Sequence, residues 1–463
     1  MKDRIFQALF GGEPTEKKVV TRAAPSPTGR LHVGTARTIL FNYLYAKKHG
    51  GKFLLRTEDT DPTRSKEEFE KDILNSIKWL HLEYDEFHRQ SERRGTHSHY
   101  IKILLEKGVA YKSREQKKSG EGDVEVIRLR NPGRHVSFKD KIRGDITFDT
   151  TELGDFVIAR SETDPLYHLA VVVDDFNMGV THVIRGEDHI SNTPRQILIQ
   201  EALGFPRPIY AHLPLLLAPD KSKLSKRHEN PNFSTSLSDY EEMGYLSEAV
   251  LNYLALLGWN PGTDREFFTL KELTQEFDFK GIQKGGAIFN LEKLDWFNQA
   301  YMRMLPPADF LKRVEQFLPP HFFSDQKKLK RVLLLMQERI VTFKELKELL
   351  VQGEYDYFFE EPEYDPSLLL WKGKGELSLA REHLERILFS LEEVTPFLEG
   401  EIKQTIWSYA EEKGRGEVLW PFRVALSGRE KSPSPFELAE ILGKQETLER
   451  LRRATEKIDE KRI

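Results

Sequence analysis

The chain contains no cysteine, and this absence excludes disulfides and thiolate metal sites. It lacks an apolar run long enough to cross a membrane. Its first residues, MKDRIFQALFGGEPTEKK, have neither the apolar stretch nor the small-residue cleavage site of a secretory signal. The formal net charge is only −4, so no global basic charge indicates a nucleic-acid partner. We therefore expect a cytoplasmic protein without membrane segments, in which any nucleic-acid contact uses local basic faces.

The composition of the chain is typical of a soluble globular protein, and its length indicates several domains. Hydrophobic residues make up 39% of the chain and charged residues 31%. At 463 residues, the chain exceeds what one ordinary hydrophobic core encloses. We expect about two to four domains from this length.

The stretch from Arg22 to Thr35, RAAPSPTGRLHVGT, predicts a strand end, a loop broken by proline and glycine, and a helix start. The helix that follows, TARTILFNYLYAKKH, stops at a pair of glycines. Free N–H groups and the positive end of the helix dipole make such a start a phosphate site. Gly29 and Gly34 allow a ligand to come close, and His32 can donate to phosphate oxygens. From these residues alone, a plain connection with a surface histidine is the alternative.

Two motifs resemble those of a known family. APSPTGRLHVGT resembles the first signature of class I aminoacyl-tRNA synthetases in its glutamyl form, and KLSKR, at Lys223 to Arg227, resembles the second. The resemblance begins at Val19 and covers nearly the whole chain. The C-terminal segment from Val418 to Ala454 resembles bacterial members. The chain is thus identified as a member of the bacterial-type glutamyl-tRNA synthetases, with a shortened acceptor-binding insertion.

This resemblance implies the fold class and the domain order. We expect an α/β N-terminal half, with a Rossmann-type doubly wound parallel sheet and a small antiparallel insertion, followed by an all-α anticodon-binding region. The expected boundaries are an N-terminal extension (1–18), a catalytic domain in two halves (19–111 and 165–235), the shortened connective insertion (112–164), a helical stem-contact domain (236–305) and the helical anticodon-binding region (306–463).

Local patterns add detail to that expectation. The polar sequence SREQKKSGEGD after Tyr111 predicts a short loop, where the family usually carries a long insertion with cysteine ligands for zinc. Alternation in VSFKD, DITFD and DFVIARS predicts a small antiparallel sheet. LYHLAVVVDD, from Leu166 to Asp175, predicts a buried strand at the centre of a parallel sheet. No structural zinc is expected.

Side chains at strand ends are candidates for binding an amino acid. Glu58 follows the strand KFLLRT, where ligands of parallel sheets bind, and a carboxylate suits an ammonium group. Arg185 follows VI in VIRGEDH, and a guanidinium can bind a carboxylate bidentately. A surface ion pair for Arg185 and a core position for Tyr167 are the alternatives. The resemblance implies that glutamate is surrounded by Arg22, Ala24, Ser26, Glu58, Tyr167 and Arg185.

The resemblance also assigns residues to ATP. It implies ATP contacts from His32, Gly34, Glu187, Lys223 and Lys226, with His32, Lys223 and Lys226 as the catalytic residues. The lysines would neutralise charge that builds on pyrophosphate. In isolation, KLSKR could equally be a solvated charge run. Mg²⁺ is expected to arrive with ATP and to need few protein ligands, so no protein metal site is predicted.

The implied reaction is ATP-dependent ligation of L-glutamate to the 3′ end of tRNA-Glu through a glutamyl-adenylate, with release of AMP and pyrophosphate. We expect a monomer that acts in the cytoplasm, and the sequence leaves open whether tRNA-Gln is charged as well. The residues also argue against three other functions. The helical region after residue 306 argues against a truncated paralogue that glutamylates a modified tRNA base. The polar residues of both signatures argue against a non-catalytic tRNA-binding protein, and the length argues against a small nucleotidyltransferase.

Overall fold

The computed structural model describes residues 18–116, 122–229, 233–318 and 326–460. The N-terminal extension predicted for residues 1–18 lies outside these ranges except for its last residue. The chain divides into two compact units, Met1–Tyr301 and Met302–Ile463. Within the described ranges, no helix is both long and apolar enough to cross a membrane.

Parallel strands form the frame of the first unit. Strands β1 (Val20–Ala23), β2 (Lys52–Thr57) and β3 (Glu86–Arg89) pair in parallel in that order. Strands β10 (His182–Gly186) and β11 (Ile209–Leu213) also pair in parallel. The backbone N–H of Thr181 donates to the carbonyl of Val20 at 2.9 Å, so β10 starts beside β1. The predicted Rossmann-type parallel arrangement is confirmed.

Helices connect and cover these strands, as the predicted fold class requires. The helices of the first unit are α1 (Val33–Lys48), α2 (Glu67–Trp79), α3 (Arg94–Glu106), α4 (Tyr167–Asn177), α5 (Thr193–Leu203), α6 (Leu237–Glu242), α7 (Ser247–Leu256), α8 (Leu270–Glu276) and α9 (Leu291–Met304). A short parallel pair, β12 (Leu216–Leu217) and β13 (Ala287–Ile288), lies between α5 and α9 in the sequence. The main core of this unit packs α1 and α7 around apolar residues of β2.

The connection from α1 to β2 is tightly packed at Gly51. Its N–H donates to the carbonyl of Ala46 at 2.9 Å, and the next N–H, of Lys52, donates to the carbonyl of Val19 at 2.9 Å. A Cβ placed on Gly51 would lie 2.0 Å from the carbonyl oxygen of Val19. No side chain can occupy that position without moving the backbone, so this glycine fixes how closely α1 returns to the sheet.

We expect Gly51→Ala to lower the free energy of unfolding by about 1–3 kcal/mol, because overpacking must displace backbone next to β1. Chemical denaturation measures this loss. Gly95→Ala is the matched control: Gly95 lies in α3, and a Cβ there would meet nothing within 4 Å. An equal loss in both variants would contradict the packing argument.

The strand predicted from Leu166 to Asp175 is wrong, because Tyr167–Asn177 form helix α4. The run from Leu169 to Asp175 is buried throughout. A short apolar run that is buried on all sides has the same hydrophobicity in a helix as in a central strand, so periodicity does not distinguish the two. The three consecutive valines favoured a strand, yet β-branched residues reduce helix propensity only slightly.

The strands of the predicted insertion belong to two sheets rather than one. Strands β4 (Ala110–Gln116), β5 (Asp123–Leu129), β8 (Phe156–Ser161) and β9 (Asp164–Pro165) form an antiparallel sheet in that order. The hairpin of β6 (His135–Asp140) and β7 (Gly144–Asp149) instead joins β11, where Asp140 pairs with Tyr210. Alternation predicted these strands correctly but carries no information about their partners.

The loop predicted from Ser113 to Asp123 is wrong at its start. Ser113 to Gln116 belong to β4, and each pairs with a residue of β5. Exposed and half-buried side chains alternate along this strand, and most of them are polar. The strand can carry polar side chains because it lies at the edge of its sheet. The central part of the predicted loop, residues 117–121, lies outside the described residues.

The second unit is helical in its described residues, which confirms the predicted all-α region. Its helices are α10 (Pro307–Val314), α11 (Gln326–Gln337), α12 (Phe343–Val351), α13 (Leu377–Glu392), α14 (Glu399–Lys413), α15 (Arg415–Ser427), α16 (Pro435–Leu442) and α17 (Lys444–Glu460). Helix α13 packs along α17, and α15 contacts both. Arg450, 3% exposed, donates to the carbonyls of Tyr357 and Leu426 and ties α17 to α15 and to the short helical turn at Asp356–Phe358.

Candidate active site at the carboxyl ends of the parallel strands

A cleft of about 680 Å³ opens where β1, β2 and β10 end. Most of the residues that the sequence proposed for substrates line this one cleft. They are Arg22, Ala24, Ser26, His32, Gly34, Glu58, Tyr167, Arg185, Lys223 and Lys226. Residues far apart in the chain meet here because the loops after parallel strands share one edge of the sheet.

Glu187 lies beside the cleft and is not among its lining residues. Its Oε1 accepts from the N–H of Leu215 at 3.0 Å, and its other oxygen pairs with Arg143. The next residue, Asp188, lines the cleft and accepts from Nζ of Lys223 at 2.9 Å. Glu187 therefore holds the loop before β12, and Asp188 contacts the proposed phosphate lysine.

A buried charge network supports the end of the cleft formed by β1 and β2. Nε of Arg22 donates to Oδ1 of Asp175 at 3.1 Å, and Nη1 of Arg56 donates to the same oxygen at 2.7 Å. Nη2 of Arg56 then donates to Oε1 of Glu58 at 3.0 Å. Arg56 is fully buried. The network thus fixes a cation, Arg22, and an anion, Glu58, side by side at the cleft wall.

Electrostatics within this network favour the charge of Asp175 and, without a ligand, disfavour that of Glu58. Burial alone raises the pKa of Asp175, yet Arg22 and Arg56 together bring it below its usual value. Burial raises the pKa of Glu58, and the charge of Arg56 opposes that shift. A substrate ammonium at Glu58 would oppose the shift further, because a nearby cation stabilises the ionised carboxylate.

Arg185 forms the second cationic wall of the cleft and is 6% exposed. Its Nη2 donates to Oγ1 of Thr193 at 2.9 Å, and its Nε donates to Nε2 of His212 at 3.2 Å. Its Nη1 is buried without a hydrogen-bond partner among the described residues. A buried N–H without a partner is costly, so this nitrogen indicates a place for an acceptor from a ligand.

Tyr167 lies near this guanidinium, on the first turn of α4. Its hydroxyl is 3.1 Å from Nδ1 of His189, and both residues line the cleft. Burial raises the pKa of Tyr167, so the phenol stays protonated. A cleft position, rather than a core position, is where the structure places this tyrosine.

His32 caps helix α1 and lines the same cleft. Its Nδ1 accepts from the N–H of Gly34 at 2.9 Å, which leaves Nε2 as the ring atom able to contact a ligand. Burial lowers the pKa of His32, and the charges of Lys223 and Lys226 add to this shift. A neutral ring beside a helix N-terminus and two ammonium groups is a suitable setting for phosphate oxygens.

The KLSKR segment is anchored beside this helix start. The N–H of Leu224 donates to the carbonyl of Leu216 at 2.9 Å, and Ser225 and His228 cap each other in a short helical turn. A Cβ placed on Gly29 would lie 3.7 Å from Nζ of Lys226, so the lysine extends to the loop of the first signature. Farther on, the N–H of Val33 donates to the carbonyl of Thr235 at 2.8 Å. The two signature segments therefore face each other.

Sequence patterns did not indicate several residues that organise the cleft. Arg56 sits inside the apolar strand β2, Asp175 ends an apolar run, and Asp140 and His212 lie in strands without any motif. Their roles depend on pairing between segments more than 70 residues apart. The available signal was the presence of a charged residue within a buried run, since such residues need partners.

The arrangement suits an amino acid with two carboxylates and an ammonium group, together with a polyphosphate. The guanidinium groups of Arg22 and Arg185 can each bind a carboxylate, and Glu58 can bind an ammonium group. The start of α1 and the lysines offer a second, cationic region. Among the described residues, no group of three or more His, Asp or Glu side chains is arranged to hold a metal ion.

Two known families match the chain, one over its first part and one over its second. The family described as tRNA synthetases class I (E and Q), catalytic domain, matches residues 18–121 and 112–296. An anticodon binding domain matches residues 309–455.

Relatives of known name are similar over almost their whole length. A glutamate–tRNA ligase of Aquifex aeolicus is 41% identical, and the match covers 95% of this chain and 99% of the relative. Glutamate–tRNA ligase 2 of Caldicellulosiruptor saccharolyticus is 38% identical with the same coverage. A crystal structure of a glutamate tRNA ligase from Elizabethkingia meningosepticum, in complex with its amino acid, superposes with a TM-score of 0.83 at 31% identity, covering 95% of this chain and 99% of that one.

Proposed function

We infer the function of the cleft from one premise: the chain belongs to the class I aminoacyl-tRNA synthetases, in the glutamate–tRNA ligase family. The chain ligates L-glutamate to tRNA-Glu with consumption of ATP. The observation that carries the choice of amino acid is the buried, unpartnered Nη1 of Arg185, in the same cleft as Arg22 and Glu58. Glutamate supplies one carboxylate for each arginine and an ammonium group for Glu58.

The proposed orientation of glutamate follows from these charges. Its side-chain carboxylate binds Arg185, whose Nη1 completes its hydrogen bonding in this way. Its ammonium group binds Glu58, which Arg56 holds in place. Arg22, Ala24, Ser26 and Tyr167 surround the remaining polar groups. This proposal keeps all of the residues that sequence resemblance assigned to the amino acid.

ATP occupies the region between the two signatures in this proposal. Gly34 and the start of α1 face phosphate oxygens, and Nε2 of His32 donates to them. Lys223 and Lys226 neutralise the β- and γ-phosphates. Glu187 contributes indirectly, since its bond to the N–H of Leu215 fixes the loop before β12, the strand that precedes KLSKR. Asp188 holds Lys223 until the nucleotide competes for it.

The reaction has two transfers, and no protein nucleophile takes part. In the first, a carboxylate oxygen of glutamate bonds to the α-phosphorus of ATP, and the bond from that phosphorus to the bridging oxygen breaks, which releases pyrophosphate. In the second, a hydroxyl of the terminal ribose of tRNA bonds to the activated carbonyl carbon. The bond from that carbon to the phosphate oxygen breaks, so that AMP leaves and the hydroxyl proton is released. Positioning and charge stabilisation supply the catalysis. Mg²⁺ enters with ATP as part of that substrate.

The proposal includes a monomeric enzyme that works in the cytoplasm, and it leaves the charging of tRNA-Gln to experiment. The purified protein is incubated with ATP, Mg²⁺ and labelled glutamate, together with tRNA-Glu or tRNA-Gln in parallel. We expect acid-precipitable label on tRNA-Glu that depends on ATP. Label on tRNA-Gln would extend the function, and absence of label from both tRNAs would overturn it.

A further inference from the structure

Arg185 lines the cleft, and the protein already uses one edge of its guanidinium. The adjacent N–H groups at Nε and Nη2 form the edge that usually binds a carboxylate with two parallel bonds. Here Nε is 3.2 Å from Nε2 of His212, and Nη2 is 2.9 Å from Oγ1 of Thr193. Nη1 is buried without a partner among the described residues, so it is the guanidinium nitrogen left to bond a ligand.

His212 can act as the acceptor for Arg185 only in one tautomer, and a buried carboxylate selects that tautomer. Nδ1 of His212 is 2.7 Å from Oδ2 of Asp140, and both side chains are fully buried. An ionised carboxylate accepts hydrogen bonds and cannot donate them, so the ring proton lies on Nδ1. The lone pair on Nε2 then points at the N–H of Arg185.

Asp140 is itself held rigidly at the turn of the β6–β7 hairpin. Its Oδ1 accepts from the N–H groups of Ile142 and Arg143, both at 2.9 Å. Its Oδ2 accepts from the backbone N–H of His212 at 3.1 Å as well as from the ring. Burial raises the pKa of Asp140, but these donors bring it below its usual value, so the carboxylate remains ionised.

We propose that His212, oriented by Asp140, is a positioning residue that fixes Arg185 so that Nη1 meets the side-chain carboxylate of glutamate. The inference rests on the proposed function, in which Arg185 binds that carboxylate. Without the acceptor at Nε2, the guanidinium can rotate and satisfy Nη1 on the protein instead. Burial lowers the pKa of His212, so the ring stays uncharged at neutral pH and keeps its lone pair.

Two amide variants separate the two ring nitrogens. His212→Asn places an amide near the Nδ1 position, which keeps a partner for Asp140 and removes the acceptor for Arg185. His212→Gln reaches the Nε2 position and restores an oxygen acceptor. A hydrogen bond to a charged group contributes about 1.5–3 kcal/mol. We therefore expect His212→Asn to raise the KM for glutamate about 10- to 100-fold, with an unchanged KM for ATP, and His212→Gln to recover most of the loss.

A matched control comes from the same region of the sheet. His182 lies on β10, as Arg185 does, is also buried, and has its Nε2 3.4 Å from the hydroxyl of Tyr45. It is not among the lining residues of the cleft. His182→Asn should leave the KM for glutamate unchanged. Equal effects of His212→Asn and His212→Gln, or a rise in the KM for ATP that matches the rise for glutamate, would overturn the positioning role.

A further measurement does not depend on the folding of variants. Nitrogen-15 spectra of histidines in the unaltered enzyme should show His212 with a protonated Nδ1 and a bare Nε2, and the opposite tautomer would overturn the proposal. Arg185→Ala distinguishes the two levels of inference. If this variant keeps the wild-type KM for glutamate, the proposed role of Arg185 fails. If it raises that KM while His212→Asn does not, only the role of His212 fails.

Discussion

Lys226→Ala should lower kcat for glutamate-dependent pyrophosphate release by about 10²- to 10³-fold, the usual cost of removing one group that stabilises transition-state charge. The lysine extends to the glycine loop of the first signature, and no hydrogen bond to another described residue holds it elsewhere. Its ammonium group is therefore free to follow charge as it moves onto pyrophosphate. Binding of tRNA and of glutamate should change little, because neither substrate depends on this contact.

The measurement pairs single-turnover adenylate formation with tRNA binding by filter retention. Lys221→Ala is the control, since Lys221 is an exposed cation in the preceding turn and does not line the cleft. This control should keep the wild-type rate. Wild-type aminoacylation by Lys226→Ala would remove the catalytic assignment of the second signature.

Asp175→Asn should lower the free energy of unfolding by about 3–5 kcal/mol, the range for breaking a buried ion pair from one side. The carboxylate is the shared acceptor for Arg22 and Arg56, so its loss removes the carboxylate that both cations bond and leaves Arg56 bonded to Glu58. Release of Arg22 should also raise the KM for glutamate. Urea denaturation and steady-state kinetics on the same preparations measure the two effects.

We also expect Asp175→Asn to change how the stability of the protein depends on pH. Arg22 and Arg56 hold the pKa of Asp175 below its usual value, so its stabilising contribution is present above the unfolded value of about 4 and is lost as pH falls below it. Asp175→Asn should therefore lose less stability than the wild type between neutral and acidic pH. Glu67→Gln, which breaks an exposed pair with Lys71, should alter neither stability nor its pH dependence.

Local patterns correctly predicted two kinds of element: strands in which buried and exposed side chains alternate, and helices that end at a stop signal. The strand KFLLRT and the helix that ends before Gly50 have the predicted bounds within a residue or two. The buried run of α4 was mistaken for a strand, since its surroundings are apolar on every side. The strands VSFKD and DFVIARS were predicted, but their separation into two sheets depends on long-range pairing that no local pattern records.

Some residues of the site could be predicted from local sequence, and others depend on contacts between distant segments. Motifs with fixed spacing indicated His32, Lys223 and Lys226, which the structure brings to one cleft. The residues that orient the cleft walls, Arg56 and Asp175, are charges at the ends of apolar runs. Their sequence signal is only that a buried charge needs a partner, and the identity of that partner follows from the sheet.

The anchoring of KLSKR has a consequence for the concentration at which Lys226 meets ATP. Hydrogen bonds at Leu224 and at Thr235 fix the chain on both sides of the lysine to segments beside α1. Each residue spans at most about 3.6 Å, so Lys226, two residues from Leu224, stays within a small volume around the phosphate region. The lysine therefore acts as a tethered counterion at a high effective concentration. The length of the tether sets that effective concentration, and attraction through the solvent does not. The effective concentration of the Lys226 ammonium group therefore does not depend on added salt.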